Sequence, residues 1–449
     1  MIMYRIFFVI VVLVIDVSAK DFLVSNIKAL HETMKNVRSG DVIIMKNGIW
    51  SDVNITFRAK GNETAPIILR AEEQGKVIIS GKSSLRILGS YLKVDGLVFK
   101  NGQPSRKQLI RFGNKKHFTH HSRLTNVEII DFNDINLSER YDWVVFFGGR
   151  YNRIDHCRFT QMKNKGVTLN VVLLDNTPAN YHRIDHNEFS YRKMGKGNGY
   201  ETIRVGNSKQ SLQNSRTTIK KNFFLQCEGE GEIISNKSCE NRYIQNTFMH
   251  SKGMLTLRHG NRCLVKDNFF FSNGHKKMGG VRIVGEGHKI INNYFEGVGG
   301  SAYTAAISFM NGIPHPPLNE YAKVKDSNIT HNKFIYTKYT IVSGANYKKG
   351  RYTVPPGNII FANNLIVGSK KPLPKYIGKV VPDIKYKNNI MFKSELNIKN
   401  LKGFKVLNPH IKKDKESKLW ISHIRNDFEE KGIQAIKISN VGPQKETVR

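Results

Sequence analysis

Short runs of alternating apolar and polar residues recur along the chain, as in VIIMKNGIW (42–50), PIILRA (66–71), KVIISG (76–81) and LKVDGLVF (92–99). Each run is four to six residues long and rich in Ile, Val and Phe, which is the period of a strand and not of a helix. From the middle of the chain a tighter pattern emerges, apolar-x-x-Asn-x-aromatic. It reads IDHNEF ending at Phe189, IKKNFF at Phe224, YIQNTF at Phe248, VKDNFF at Phe270, INNYF at Phe295 and ITHNKF at Phe334. IDHCRF, ending at Phe159, is a variant with Cys157 in the Asn position. From Asn222 the matched asparagines are Asn246, Asn268 and Asn293, spaced 24, 22 and 25 residues apart.

Short strands at this spacing, separated by Asn, Gly and Ser, predict a right-handed parallel β-helix in which each coil stacks on the one before. Asparagines at one recurring position then form a ladder inside a turn and satisfy backbone groups that would otherwise be stranded. Residues 27–38, IKALHETMKNVR, carry Ile27, Leu30, Met34 and Val37 at helical spacing and predict a short helix capping the open end of the solenoid. After about residue 395 the repeat fades into a Lys-rich segment, read as an irregular C-terminal cap. The expected organisation is all-β: a leader at 1–19, one β-helix domain at 20–395 and a cap or tail at 396–449.

Composition changes the picture in two ways. At ~150 residues per domain, 449 residues would suggest about three domains, and the repeat replaces them with one. Hydrophobic content of 39%, with only 13 prolines, excludes a disordered or collagen-like chain. The surplus of 71 Lys and Arg over 36 Asp and Glu, a net charge of +35, points to an anionic partner. Residues 1–19 combine Arg5, an apolar run from Ile6 to Ile15 and small residues Ser18 and Ala19, the layout of a secretory signal cut after Ala19. No later stretch is long and apolar enough to cross a bilayer, so the expectation is a secreted or periplasmic protein. Export, and the lack of any zinc-finger, basic-heptad or RNA-binding signature, argues against nucleic acid. Four scattered cysteines (Cys157, Cys227, Cys239 and Cys263) are too few for a disulfide framework and read as small buried hydrophobes.

In a solenoid, residues one coil apart lie about 4.8 Å above one another. Lys237 and Arg258 are 21 apart, Arg282 lies 24 further on, and Arg204 is 26 before Glu230. Glu230 and Glu232 are two apart, expected to share one strand face, with Gly229 and Gly231 between and before them. Adjacent carboxylates repel and invite a hard divalent cation, Ca²⁺ above all. The competing reading is a surface ion-pair ladder along the solenoid. The chemistry that uses this set is β-elimination on a uronic acid. A cation neutralises the carboxylate, a lysine whose charged form is disfavoured by its neighbours removes the C5 proton, and an arginine stabilises the leaving oxygen. His156 and His186 share a repeat position, which suits stacking between coils, and HFTHH (117–121) suits a metal less well than a substrate-facing loop or no functional role at all.

At these residues the chain resembles polysaccharide lyase family 6, which includes alginate lyases and the chondroitinase that cleaves dermatan sulfate. The likeness runs from about Val42 to about Gly300. It is densest in HRIDHNEFSY (182–191), NGYETIRVGNS (198–208), EIISNKS (232–238), GMLTLRHGN (253–261) and GGVRIVGEGHKIINNYF (279–295). The resemblance implies a β-helix lyase with Lys237 as the base and Arg258 as the acid or charge stabiliser. It also implies calcium ligands Asn198, Glu230 and Glu232, and a substrate groove lined by Arg204, His259 and Arg282. Tyr200 departs from the family pattern, where a second Gly often follows the Asn-Gly pair. The substrate expected is an anionic polysaccharide, alginate first and dermatan or chondroitin sulfate second. A non-catalytic polyanion-binding solenoid is the alternative from another class.

Overall fold

A computed structural model describes residues 19–422 and 434–444. The expected leader falls almost wholly outside these residues. Among the described residues no helix is long and apolar enough to cross a membrane.

The chain coils into a three-sided parallel β-helix. One face is a sheet of 14 parallel strands, and the other two are joined into one sheet of 25 because the strand Val77–Ser90 runs through the corner between them. A representative coil has Thr218–Lys220 on the first face, Phe223–Leu225 on the second and Glu232–Lys237 on the third. The next coil repeats the order with Arg242–Ile244, Thr247–Met249 and Gly253–His259. Inward Ile, Val and Phe side chains fill the tube as one continuous core.

The corner between the first and second faces explains the asparagines. A single residue in the left-handed region turns the chain, as at Lys221 (φ 53°), Gln245 (φ 54°) and Asp267 (φ 59°), and the ladder asparagine follows it. Each of these asparagines is buried and donates its Nδ2 to the Oδ1 of the asparagine on the next coil, at 2.9–3.1 Å. The chain of bonds runs from Asn187 through Asn222, Asn246, Asn268, Asn293, Asn332 and Asn364 to Asn389. Two positions beyond each ladder asparagine, and beyond Cys157 in the variant motif, Phe159 through Phe334 stack in the core with ring centroids 4.6–5.2 Å apart. His156 and His186 stack at 4.9 Å on the outside of the same corner, each against a buried aspartate. All four cysteines are buried and free.

The ends differ in detail from the expectation. The capping helix is Ile27–Met34, with Asn26 capping Ala29 N–H and Leu30 and Met34 buried. It stops four residues early, its last turn tightening as Lys35 and Asn36 N–H bond to Glu32 O and Thr33 O, and Asp41 then takes the Arg38 N–H. It also sits inside the first coil, because Asp21–Val24 already pairs with Val42–Met45. Past residue 395 the strand Phe404–Val406 adds one more rung. A hairpin, Lys412–Lys413 with Trp420–Ile421, follows. Residues 434–444 then lie back along the second face, where Gly442 N–H reaches His186 O and Gln444 N–H reaches Asn126. The HFTHH histidines are dispersed: His117 meets Arg58, while His121 stacks between Tyr91 and Tyr151.

Two further histidines make the fold sensitive to acid. His182 and His288 are buried in the same way, Nδ1 accepting a backbone N–H (Asn152, Cys263) and Nε2 donating to a backbone carbonyl (Gly148, Val284). Burial pulls His182 down to about 3 and His288 to about 4. An unfolded histidine titrates near ~6.5, so below that pH the unfolded chain takes up protons that the native chain refuses. Their stabilisation is complete above pH ~6.5 and declines as the pH falls, by about 2 kcal/mol each at pH ~5. The melting temperature is therefore expected to drop between pH ~7 and ~5; a flat profile over that window would contradict this account.

Candidate active site

The third face carries the residues singled out by sequence. Its outward positions are fixed by strand register, and the register corrects the spacing argument. Arg204 pairs with Ser235, 31 residues on, and not with Glu230, because the loop between Gly206 and Thr218 lengthens this coil. A bulge between Asn236 and Lys237 shifts the next pairing, so that Lys237 lies opposite His259, with Arg258 one residue before it. Arg282 pairs with Thr256, not with Arg258.

Lys237 is half-buried at the end of its strand, and its Nζ is 3.8 Å from Glu201 Oε1. Arg204 Nη1 reaches the same oxygen at 3.8 Å, and Arg204 Nε is 3.4 Å from Asn170 Oδ1. The lysine is thus flanked by a carboxylate as well as by arginines. Glu201 is buried, and its Oε2 has no hydrogen-bond partner. It lies inside the NGYETIRVGNS block, and its offset from Glu232 equals that from Arg204 to Ser235. A search using the correct coil length would have found it.

Arg258 is held by a long loop that follows the strand Ile307–Phe309, two coils further on. Its guanidinium lies 4.0 Å over the Tyr321 ring and Nη2 is 3.5 Å from Asn319 O, while Nη1 is buried without a partner. His259 is buried, and burial, with the charges of Arg258 and Lys237, lowers it to about 3, so it is a neutral imidazole at physiological pH. A cavity of about 230 Å³ opens beside it, walled by Leu212, Val284, Pro317 and Leu318. Arg282 is only 3% exposed, with its two Nη atoms bonded to Glu232 Oε1 and Tyr303 Oη. It therefore braces Glu232 instead of lying open in the groove.

Glu230 lies just before its strand and ties two coils together, accepting Gly199 N–H at 2.7 Å and Tyr200 N–H at 2.9 Å. Burial and the negative charge of Glu201 raise its carboxyl to about 7. Tyr200 therefore contributes through its backbone, while its ring packs on Gly195 and Arg192. Asn198 is exposed on the turn just before Gly199.

This acidic set suits a hard cation in donor chemistry. All donors are oxygens, burial and the charge of Glu201 drive Glu230 towards its neutral form, and one oxygen of Glu201 is unsatisfied. Among the described residues no three Asp, Glu, His or Cys side chains stand close enough to enclose an ion by themselves, so amide and water oxygens would have to complete a shell.

The family model for chondroitinase B matches residues 24–437. Among solved structures, the chain is similar to the PL6 family alginate lyase AlyGC, with 36% identity and a TM-score of 0.90 over 94% of this chain and 58% of that one. It is also similar to a mannuronic acid specific polysaccharide family 6 lyase from human gut microbiota, with 30% identity and a TM-score of 0.76 over 86% and 90% of the two chains. The PL6 family polysaccharide lyase Pedsa3628 from Pseudopedobacter saltans shares 26% identity, with a TM-score of 0.75 over 95% and 100%. The chain thus spans less than two thirds of the length of AlyGC. No curated protein matches it.

Proposed function

The chain belongs to the chondroitinase B family, polysaccharide lyase family 6, and on that premise we propose that it is an exported lyase that cleaves alginate by β-elimination. The observation that carries this reading is the convergence of Lys237, Arg258 and His259 beside the Glu201, Glu230 and Glu232 carboxylates on one face of the solenoid.

In this mechanism the Lys237 amine takes the C5 proton of a 4-linked uronate. The C–H electron pair becomes the C4–C5 double bond as the C4–O bond breaks. Arg258, always charged, stabilises the departing oxygen until solvent protonates it. The buried, neutral His259 offers a hydrogen bond to the sugar without competing for its proton. Arg204 and Glu201 fix the lysine from below, and Arg282 fixes Glu232. A calcium ion (Ca²⁺) would be held by Asn198, Glu230 and Glu232, with Glu201 beside them. When bound, it supplies the positive charge that neutralises the uronate carboxylate and makes C5–H acidic.

The choice of alginate rests on the likeness to AlyGC and to the mannuronic acid specific lyase. Dermatan sulfate is the rival that the family model's name and the basic surface bring forward. Ultraviolet absorbance of unsaturated uronate is expected to rise with alginate and to stay flat with dermatan or chondroitin sulfate. The opposite pattern would transfer the activity to the sulfated polymer, and silence with both would remove the lyase reading. A chelator is expected to abolish the signal and added calcium to restore it; undiminished activity in chelator would rule out the metal.

A further inference from the structure

The outward column that holds Arg204 continues away from the site towards the N-terminal coils. Arg204 pairs with Asn170, Asn170 with Val145, Val145 with Arg111 and Arg111 with Arg86. Arg111 is three rungs from Arg204 and Arg86 four, or about 14 and 19 Å at strand spacing. Arg106, on the loop that joins Leu97–Pro104 to the strand of Arg111, adds a third and exposed guanidinium.

Among the described residues these three charges are not neutralised. The adjacent Lys107 pairs with Glu139, and Arg140 with Asp142, but among the described residues no ion pair reaches Arg86, Arg106 or Arg111. Arg86 donates to the carbonyls of Leu85 and Gln108, at 3.4 and 2.9 Å. Arg111 lies 4.1 Å over the Phe147 ring, and its Nε is buried with no partner. Burial, together with the charges of Arg106 and Arg111, lowers Arg86 to about 10, the sign of a cation short of an anion. Thr56, which pairs with Arg86, lines a cavity of about 860 Å³ that adds Arg58 and His117 and no carboxylate. At Arg86 and Arg111, unpaired charge this poorly hydrated is costly to maintain for packing alone.

We propose that Arg86, Arg106 and Arg111 form a distal subsite for carboxylates of an acidic polysaccharide, several sugar residues from the scissile bond. The inference rests on the reading of the site as a uronate lyase. It gives the enzyme a grip on long chains that short ones cannot use.

The test compares long alginate with short oligouronates, using the exposed charge reversal Arg106→Glu and the double variant Arg86→Gln/Arg111→Gln. For both variants KM for the polymer is expected to rise roughly tenfold and to depend less on salt, while kcat/KM for a trisaccharide stays at the wild-type value. Equal losses on polymer and trisaccharide, or no change on either, would overturn the subsite. Calorimetric binding of the polymer to wild type and to Arg106→Glu decides the point without turnover. If wild type releases no unsaturated uronate, the lyase reading fails; weaker polymer binding by Arg106→Glu would still support the subsite, and equal binding would end it.

Discussion

Replacing Lys237 with alanine is expected to lower the turnover of alginate by about 10²–10⁴-fold, the usual contribution of a positioned general base, with little change in polymer affinity. The site offers few other bases. His259, opposite Lys237, is lowered to about 3 by burial and its cationic neighbours, which leaves it neutral but too weak to take a carbon-bound proton. Glu201 is within 3.8 Å of both Lys237 and Arg204 and serves to position them. Lys237→Arg separates charge from proton transfer, because a guanidinium keeps the positive charge but does not deprotonate. It should be as inactive as the alanine variant while binding polymer at least as well. Initial rates and calorimetric affinities measured on the same preparations check both statements. Turnover by Lys237→Arg close to wild type would remove the lysine as the base.

The second large effect concerns the fold. Asn268→Ala is expected to destabilise the protein by roughly 2–6 kcal/mol, since two buried donors lose their acceptor at about 1–3 kcal/mol each. Asn268 Oδ1 accepts both the backbone N–H and the Nδ2 of Asn246, at 2.9 and 3.0 Å. Its own Nδ2 serves Tyr243 O, Lys266 O and Asn293 Oδ1, of which Lys266 O and Asn293 Oδ1 keep backbone donors in Gln245 N–H and the N–H of residue 268. Water cannot reach this corner to replace them, because the ladder asparagines are fully buried. The midpoint of denaturant unfolding reads the loss. A shift no larger than that of an exposed Asn→Ala control would show the ladder to be ornamental to stability.

The ladder also marks how much of the architecture was legible beforehand. Its members from Asn187 to Asn332 were visible because an aromatic followed two residues later, and those aromatics form the stacked core. Asn364 and Asn389 were missed because Ile366 and Met391 take the aromatic positions, although the hydrogen bonds are the same. The active face was harder to read. Arg204 and Glu201 lie 31 residues from their partners, in a coil lengthened by a loop, whereas the two coils that follow run at 21 and 26. A uniform spacing therefore joined Arg204 to the wrong residue and passed over Glu201. Two bulges displaced Lys237 and Arg258 by a residue, which spacing alone does not reveal. Tyr303 and Tyr321, which hold Arg282 and Arg258, arrive from long loops outside the repeat and have no rung position to betray them. The excess of positive charge suggested an anionic partner, and register shows part of it arranged in one column from Arg86 to Arg282.

The account stands most directly on how the glycosidic bond is broken. Alginate digested in heavy-oxygen water distinguishes elimination from hydrolysis, because only hydrolysis places a solvent oxygen at the new chain ends. The account predicts products with a double bond in the terminal uronate and no heavy oxygen incorporated during bond cleavage. Saturated ends carrying solvent oxygen would contradict it.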